Sequence, residues 1–345
     1  MKKKNRKKMK RMNVKYSNVN LDILDDLEID NDKYKYMKQK KKIINHKDSY
    51  KAKVIEVFSN NRATIFYNNK EKLAYIKGNL KQFSSGSYNL LAVGDFVECI
   101  TEGDKAIIVN IDNRENALER IMEDKKIIIA ANIDQVIITT SYVEPEISFG
   151  LIDRYICSSR ILDIKPIICI NKIDKCDDRY KLKSQLDFYK QAGIKVIYTS
   201  AETGEGIEIL RKLLIDKESV FSGFSGVGKS SIINKLQSNI NLHTAEISDY
   251  TKKGRHTTTS SRMIPWDFGG YLIDTPGIKI FGIDSEKKNK IREVFPHFDK
   301  YNCKFNDCSH THEDDCAVKN AVENNKIPQE RYNSYLRIIE SMEQK

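Results

Sequence analysis

The sequence predicts a multidomain chain: an N-terminal β-barrel, a P-loop α/β domain and a C-terminal helical domain that holds a Cys/His cluster. Three observations predict it. Short β-like runs fill residues 50–120, continuous apolar runs alternate with helical stretches beyond them, and three Cys and two His crowd into residues 303–316. A chain of 345 residues is long enough for about two or three domains. Its 40% apolar residues are enough to form cores, and the Ile-rich runs from Ile127 onward exclude disorder throughout. No stretch approaches ~18 uncharged apolar residues, so no membrane span is expected. Seven Cys are few and odd in number, which argues against a disulfide-stapled secreted scaffold. No apolar segment follows the basic start as in a secretory signal, and a cytoplasmic location is expected.

The charge is uneven. Residues 1–42 carry 15 Lys and Arg against 6 Asp and Glu, so nine of the eleven net positive charges sit there. Such charge blocks repel internally and bury no core, so residues 1–45 read as a disordered basic tail. Two readings of the tail stay open: a polycation drawn to phosphate backbones, or a solubilising extension.

The barrel is assigned to residues 46–118. Its strands are expected at Lys51–Phe58, Arg62–Tyr67, Lys72–Lys77, Asp95–Ile100 and Ala106–Ile111, with turns at Ser59-Asn60-Asn61, Asn68-Asn69 and Glu102-Gly103-Asp104. Five short strands in so little chain suggest an OB-fold. Nucleic-acid binding there has weak support, because few aromatics look placed to stack bases.

The α/β domain is assigned to residues 119–282. Val136–Thr140 and Pro166–Ile170 are continuous apolar runs, the pattern of buried parallel strands, and Val196–Thr199 and Tyr271–Ile273 are shorter versions. Helices are expected at Ile152–Leu162, Tyr180–Gln191, Ile207–Leu214 and Ser231–Gln237. The helical domain takes residues 283–345. There Tyr332, Tyr335, Leu336, Ile339 and Met342 recur at helical spacing and read as a packing face.

Gly223-Phe224-Ser225-Gly226-Val227-Gly228-Lys229-Ser230 fits G-x-x-x-x-G-K-[ST] in full, and Ser231 opens the helical stretch after it. The glycines let backbone N–H groups close round phosphates, and the helix adds its positive end. Lys229 can reach the β- and γ-phosphates, and the Ser230 hydroxyl can ligate Mg²⁺. Asp274-Thr275-Pro276-Gly277 follows an apolar run. Asp274 can hold the Mg²⁺ shell, and Gly277 can offer its N–H to the γ-phosphate.

Asn171-Lys172-Ile173-Asp174 also follows an apolar run. A carboxylate there can accept from guanine N1–H and N2–H₂, a pair of donors that adenine does not present. A site built for such bonds rejects the analogue by about 10⁴-fold or more. Asn171 can tie this loop to the phosphate loop, and the Lys172 stem can cover the base. Backbone at Ser200-Ala201 can meet the guanine O6. In ordinary small GTPases the phosphate loop comes first and the N-K-x-D and S-A elements last. Here the order runs 171, 200, 223, 274, which implies a circularly permuted GTPase domain.

Lys252–Thr259 lies where a switch loop belongs, with Thr258 as the candidate Mg²⁺ ligand among three neighbouring threonines. Cys303, Cys308, His310 and Cys316 give a Cys₃His set suited to one structural zinc, with His312 as a competing ligand. A metabolic kinase is a poorer reading because of N-K-I-D. A non-enzymatic zinc and OB adaptor is poorer because the phosphate loop is complete.

With these motifs the chain resembles ribosome small subunit-dependent GTPase A, a family of circularly permuted GTPases of bacterial 30S maturation. Beyond the loops above, the likeness rests on Val93-Gly94-Asp95, Ala131–Gln135, Leu151-Ile152-Asp153-Arg154-Tyr155, Ser200–Gly204 and Cys303–Val318. It covers roughly residues 50–340 and leaves out the basic tail. Asp314 stands where the family commonly has Pro. The resemblance implies GTP hydrolysis to GDP and phosphate stimulated by the small subunit, with the 30S subunit and 16S rRNA as partners of a monomeric chain. Many GTPases place a water-orienting Gln just after D-x-x-G, where this chain has Ile278. His256 is the imidazole beside the expected γ-phosphate ligands. It reads either as the water-orienting group or as an exposed loop His.

Overall fold

Alternating burial builds the first layer. In strand β2 (Arg62–Tyr67), Ala63 and Ile65 point inward, as do Ala52 and Val54 of β1 (Tyr50–Ser59) and Ala74 and Ile76 of β3 (Lys70–Ile76). Val97 and Cys99 of β4 (Phe96–Glu102) and Ala106 and Ile108 of β5 (Lys105–Ile111) complete that core. The strands run in the order β1-β2-β3-β5-β4, and β4 pairs back onto β1, which closes the barrel. Only β3 and β5 are parallel, the OB arrangement expected from the sequence. Asn68 and Asn69, at φ 48° and 58°, make the tight β2–β3 turn.

The structure, a computed structural model, describes residues 48–59, 62–77, 89–122, 125–238, 240, 261–274 and 287–343. Asp48–Lys345 forms one compact unit. The basic tail, the switch segment with Thr258 and His256, and Gly277 with Ile278 lie outside the described residues.

A hairpin, β6 (Ala117–Met122) with β7 (Lys125–Ala131), joins the barrel to the α/β sheet. Sequence patterning does not mark it. Val93-Gly94-Asp95 docks onto its end. The Ala131 N–H donates to the Val93 carbonyl at 2.8 Å, and the Asn132 amide donates to the Gly94 carbonyl at 2.9 Å. Gly94 has φ 90°, and a Cβ there would lie 2.1 Å from the Ala131 carbonyl oxygen. Asp95 is fully buried and takes a two-pronged bond from Arg114, at 2.6 and 2.7 Å. This motif is therefore a structural joint.

The α/β sheet runs β10-β9-β8-β11-β13-β12, with β8 (Gln135–Ser141), β9 (Lys165–Asn171), β10 (Lys195–Tyr198), β11 (Glu218–Ser222) and β13 (Tyr271–Asp274) parallel and β12 (Arg262–Pro265) antiparallel. All seven β8 residues are buried, which explains why its sequence shows no alternation. Val136 and Ile138 face one core, with α1 (Phe149–Ile161) and α2 (Arg179–Gln191). Ile137 faces the other, with α3 (Ile207–Leu214) and α4 (Lys229–Leu236). Helices thus cover both faces, and the carboxyl ends of five parallel strands share one rim.

The C-terminal helices α5 (Lys288–Val294), α6 (Ala317–Glu323) and α7 (Gln329–Glu343) pack round Phe295, Phe298 and Tyr335. Tyr335, Ile339 and Met342 are buried there, and Tyr332 and Leu336 lie against that core, as the helical stripe predicts. Among the described residues, no helix is long and apolar enough to cross a membrane.

Candidate functional site

Among the described residues, the four nucleotide motifs at 171, 200, 223 and 274 start from the same rim. Asn171 ends β9, Ser200 follows β10, Gly223 follows β11 and Asp274 ends β13. Open α/β sheets bind ligands at this edge. Register brings the strands level: Ser141 pairs with Asn171, Ile138 with Ser222 and Val220 with Ile273.

The 223–230 loop needs its glycines. Gly223 has φ 148°, and a Cβ there would sit 2.0 Å from the Thr139 carbonyl oxygen. Gly228, at φ 90°, caps the start of α4, and its missing Cβ would lie 2.3 Å from Asn171 Nδ2. Val227 is buried, while Phe224 is half-exposed beside the exposed Ser225 and Gly226. Lys229 folds back over the loop, and its Nζ donates to the carbonyls of Gly223 at 3.0 Å and Phe224 at 2.7 Å. Ser230 and Ser231 occupy the first turn of α4 behind it.

Asn171 joins three segments far apart in the chain. Its Nδ2 donates to the Val227 carbonyl at 2.9 Å, and its Oδ1 accepts from the Ala201 N–H at 3.2 Å. The Ile173 N–H donates to the Thr199 carbonyl at 3.2 Å. The phosphate loop, the N-K-I-D turn and the Ser200-Ala201 loop therefore meet at one buried side chain. Ser200 is fully buried, and its hydroxyl accepts from the Thr203 N–H at 3.0 Å. Lys172 is left-handed at φ 59°, with its ammonium on the Glu144 carbonyl, and Asp174 is exposed beyond it. The Glu144 contact was not legible in the sequence, because it comes from a loop 28 residues away.

The second cluster lies in the C-terminal domain. The ligand atoms of Cys303, Cys308, His310 and Cys316 all lie within 4.8 Å of one another. Cys303 Sγ stands 3.5 Å from His310 Nδ1 and 3.8 Å from Cys316 Sγ, and His310 Nδ1 stands 3.4 Å from Cys316 Sγ. Zinc bond lengths of about 2.3 Å to sulfur and 2.0–2.1 Å to nitrogen imply tetrahedral edges of about 3.5–3.8 Å, so these spacings suit a four-coordinate ion. His312 is exposed and stands outside the cluster. Burial pushes the Cys308 thiol up to about 12 and lowers the His310 imidazole. Three thiols packed this closely have little reason to share a buried site unless a cation neutralises them as thiolates.

The loop round these ligands is held from outside. Tyr332 and Tyr335 of α7 donate to the carbonyls of His310 and Ser309 at 2.8 and 2.6 Å. Glu313 accepts from the N–H groups of Ser309 at 2.6 Å and Thr311 at 3.1 Å, which fastens both neighbours of the left-handed His310. Burial alone would raise the Glu313 pKa; the bonds from Ser309 and Thr311 outweigh it and bring the carboxyl to about 2.

Residues 111–284 match the RsgA GTPase family. A Caldanaerobacter subterraneus subsp. tengcongensis protein named small ribosomal subunit biogenesis GTPase RsgA is 38% identical, over 78% of this chain and 97% of its own length. A Chlorobaculum parvum protein of the same name is 42% identical over 74% of this chain and 86% of its own. The crystal structure of YjeQ from Thermotoga maritima superposes with a TM-score of 0.72 at 30% identity, covering 85% of this chain and 98% of that one. A second solved structure, YloQ, described as a circularly permuted GTPase, gives a TM-score of 0.68 at 27% identity, over 87% of this chain and 97% of its own. With its rotated motif order carried on one continuous strand rim, the chain belongs to the RsgA GTPase family.

Proposed function

We propose that the chain hydrolyses GTP in the pocket at the strand rim and does so on the small ribosomal subunit during its assembly. The observation that carries the pocket is Asn171, which bonds to both Val227 and Ala201 and so holds the phosphate and base loops together. The ribosomal setting follows from the names of the relatives, and 16S rRNA is the natural contact there. We take the chain to act as a monomer in the cytoplasm.

In this reading Asp174 accepts from guanine N1–H and N2–H₂, and the Ser200-Ala201 backbone meets O6. The amides of 223–231 wrap the phosphates. The Lys229 ammonium leaves its carbonyl partners to meet the β- and γ-phosphate oxygens. Water attacks the γ-phosphorus, the bond to the β–γ bridging oxygen breaks, and GDP and phosphate leave. The Ser230 hydroxyl, Asp274 and, in the triphosphate state, Thr258 would hold Mg²⁺, which when bound neutralises charge on the β- and γ-oxygens. The donor set fits: a hydroxyl in the first turn of α4, which follows β11, and a carboxylate at the end of β13, the strand paired with β11. Gly277 would donate its N–H to the γ-phosphate and His256 would orient the water. Cys303, Cys308, His310 and Cys316 would hold one structural zinc.

The test is GTP turnover with and without purified 30S subunits, with Lys229→Ala as the control. Stimulation that vanishes in the variant supports the proposal, and a rate indifferent to 30S counts against the ribosomal part. His256→Ala turning over at the parent rate in both conditions would remove the water-orienting role.

A further inference from the structure

Helix α2 begins at Arg179, just past the N-K-I-D turn. Asp178 caps it by accepting from the Lys181 N–H at 2.8 Å, which fixes where the first helical side chain departs. The Arg179 guanidinium then makes three bonds. Its Nη1 donates to Glu205 Oε1 at 2.7 Å and its Nη2 to Glu205 Oε2 at 3.0 Å, a parallel fork that Lys could not copy. Its Nη2 also donates to the Ile173 carbonyl at 3.2 Å, on the residue before Asp174. The bond to Glu205 raises the guanidinium's pKa, and the Asp174 charge close by adds to it.

Glu205 is anchored on the other loop. Its carbonyl accepts from the Ser200 N–H at 2.9 Å, and its N–H donates to Thr203 Oγ1 at 3.3 Å. Next to it Gly206, at φ 72°, lies where a Cβ would meet the Tyr198 carbonyl oxygen at 1.9 Å, so the loop is pressed against the end of β10. The guanidinium thus spans from the turn that carries Asp174 to the loop that carries Ser200-Ala201.

We propose that Arg179, paired with Glu205, is a positioning residue for guanine recognition that fixes the separation of the two loops flanking the base. The inference rests on the base-pocket reading above. A carboxylate accepts from both N1–H and N2–H₂ only when it lies in the plane of the ring. If the turn drifts, the carboxylate no longer serves both donors at once, whereas a single bond to N1 can follow the movement. Hypoxanthine lacks N2, so GDP and IDP report the drift differently.

The experiment measures the dissociation constants of GDP and IDP, with Mg²⁺ present, for the full chain. The variants are Arg179→Met, Glu205→Gln, their double, the swap Arg179→Glu with Glu205→Arg, and the control Asp174→Asn. Both side chains are nearly half exposed, so the effect is modest: GDP should bind about fivefold more weakly in each single variant, with IDP little changed. The double should be no weaker than either single, and the swap should recover part of the loss. Parent GDP affinity and GDP/IDP ratio in Arg179→Met, with Asp174→Asn weakened, would overturn the inference and leave the pocket standing. A lower melting point without nucleotide and an unchanged ratio would also overturn it, since the role would then be in folding. Parent affinity in Asp174→Asn would overturn the pocket and the inference together.

Discussion

Arg331 Nη1 donates to Asp153 Oδ2 at 2.8 Å across the seam between the α/β domain and the C-terminal helices, and Asp153 is fully buried there. Tyr189 donates to the other carboxylate oxygen at 2.7 Å, so α1, α2 and α7 meet on one charge. The guanidinium also lies 4.8 Å from the Phe149 ring centre. Next along α7, Tyr332 and Tyr335 reach the loop that carries the Cys/His cluster. The Leu151–Tyr155 motif thus serves domain docking: Asp153 takes Arg331, and Arg154 donates to Ser341 Oγ at 2.7 Å.

Arg331→Met should destabilise this seam by about 3–5 kcal/mol, because it leaves a buried carboxylate without its counter-charge. The loss should shrink as pH falls. Burial raises the Asp153 pKa, and Arg331 pulls it back down. Without Arg331 the folded-state value rises further above the unfolded one. The folded state then takes up a proton that the unfolded state does not, and acid favours folding. Urea unfolding of both proteins at neutral and mildly acidic pH checks the direction; a deficit that grows in acid would refute it.

Asn171→Ala should weaken GDP binding about tenfold or more, because the Val227 carbonyl and Ala201 N–H each lose a buried partner. Calorimetric titration of GDP measures it. Since Asn171 sits below the loops, a parent-like Kd would show that the two loops hold their places without it.

Gly94→Ala should lower the melting point while sparing nucleotide binding. The left-handed backbone alone costs about 1–3 kcal/mol, and the new Cβ would also push on the Ala131 carbonyl. Thermal unfolding beside a GDP titration separates the two effects. A normal melting point would mean that the joint yields at no cost.

Purified chain should carry one zinc per molecule by elemental analysis, and Cys316→Ser should lose it. Structural zinc contributes about 10–16 kcal/mol of apparent binding energy, so chelation should unfold the C-terminal helices well below the melting point of the loaded protein. Equal melting curves with and without chelator would exclude a structural ion.

The barrel strands and the parallel strands were legible because burial on one face or two leaves a different periodicity in the chain. The β6–β7 hairpin was not, since its open end is held by contacts with Val93, a residue of the preceding barrel segment that no local pattern connects to it. Arg179 and Glu205 look like any charged pair in a polar stretch. They lie 26 residues apart, and nothing local says that they meet.

The amino-acid order alone determined which residue types are present: a glycine-rich loop before a Lys and a Ser, an Asn-Lys-Ile-Asp turn, and three thiols with an imidazole at close spacing. These depend on residue type and short spacing, which the chain carries directly. Tertiary structure alone decided that Asn171 lies under Val227, that Asp153 receives Arg331 and that Arg179 reaches Glu205. Those contacts follow from strand order and helix packing, where residues distant in sequence become neighbours and burial sets what each charge must find.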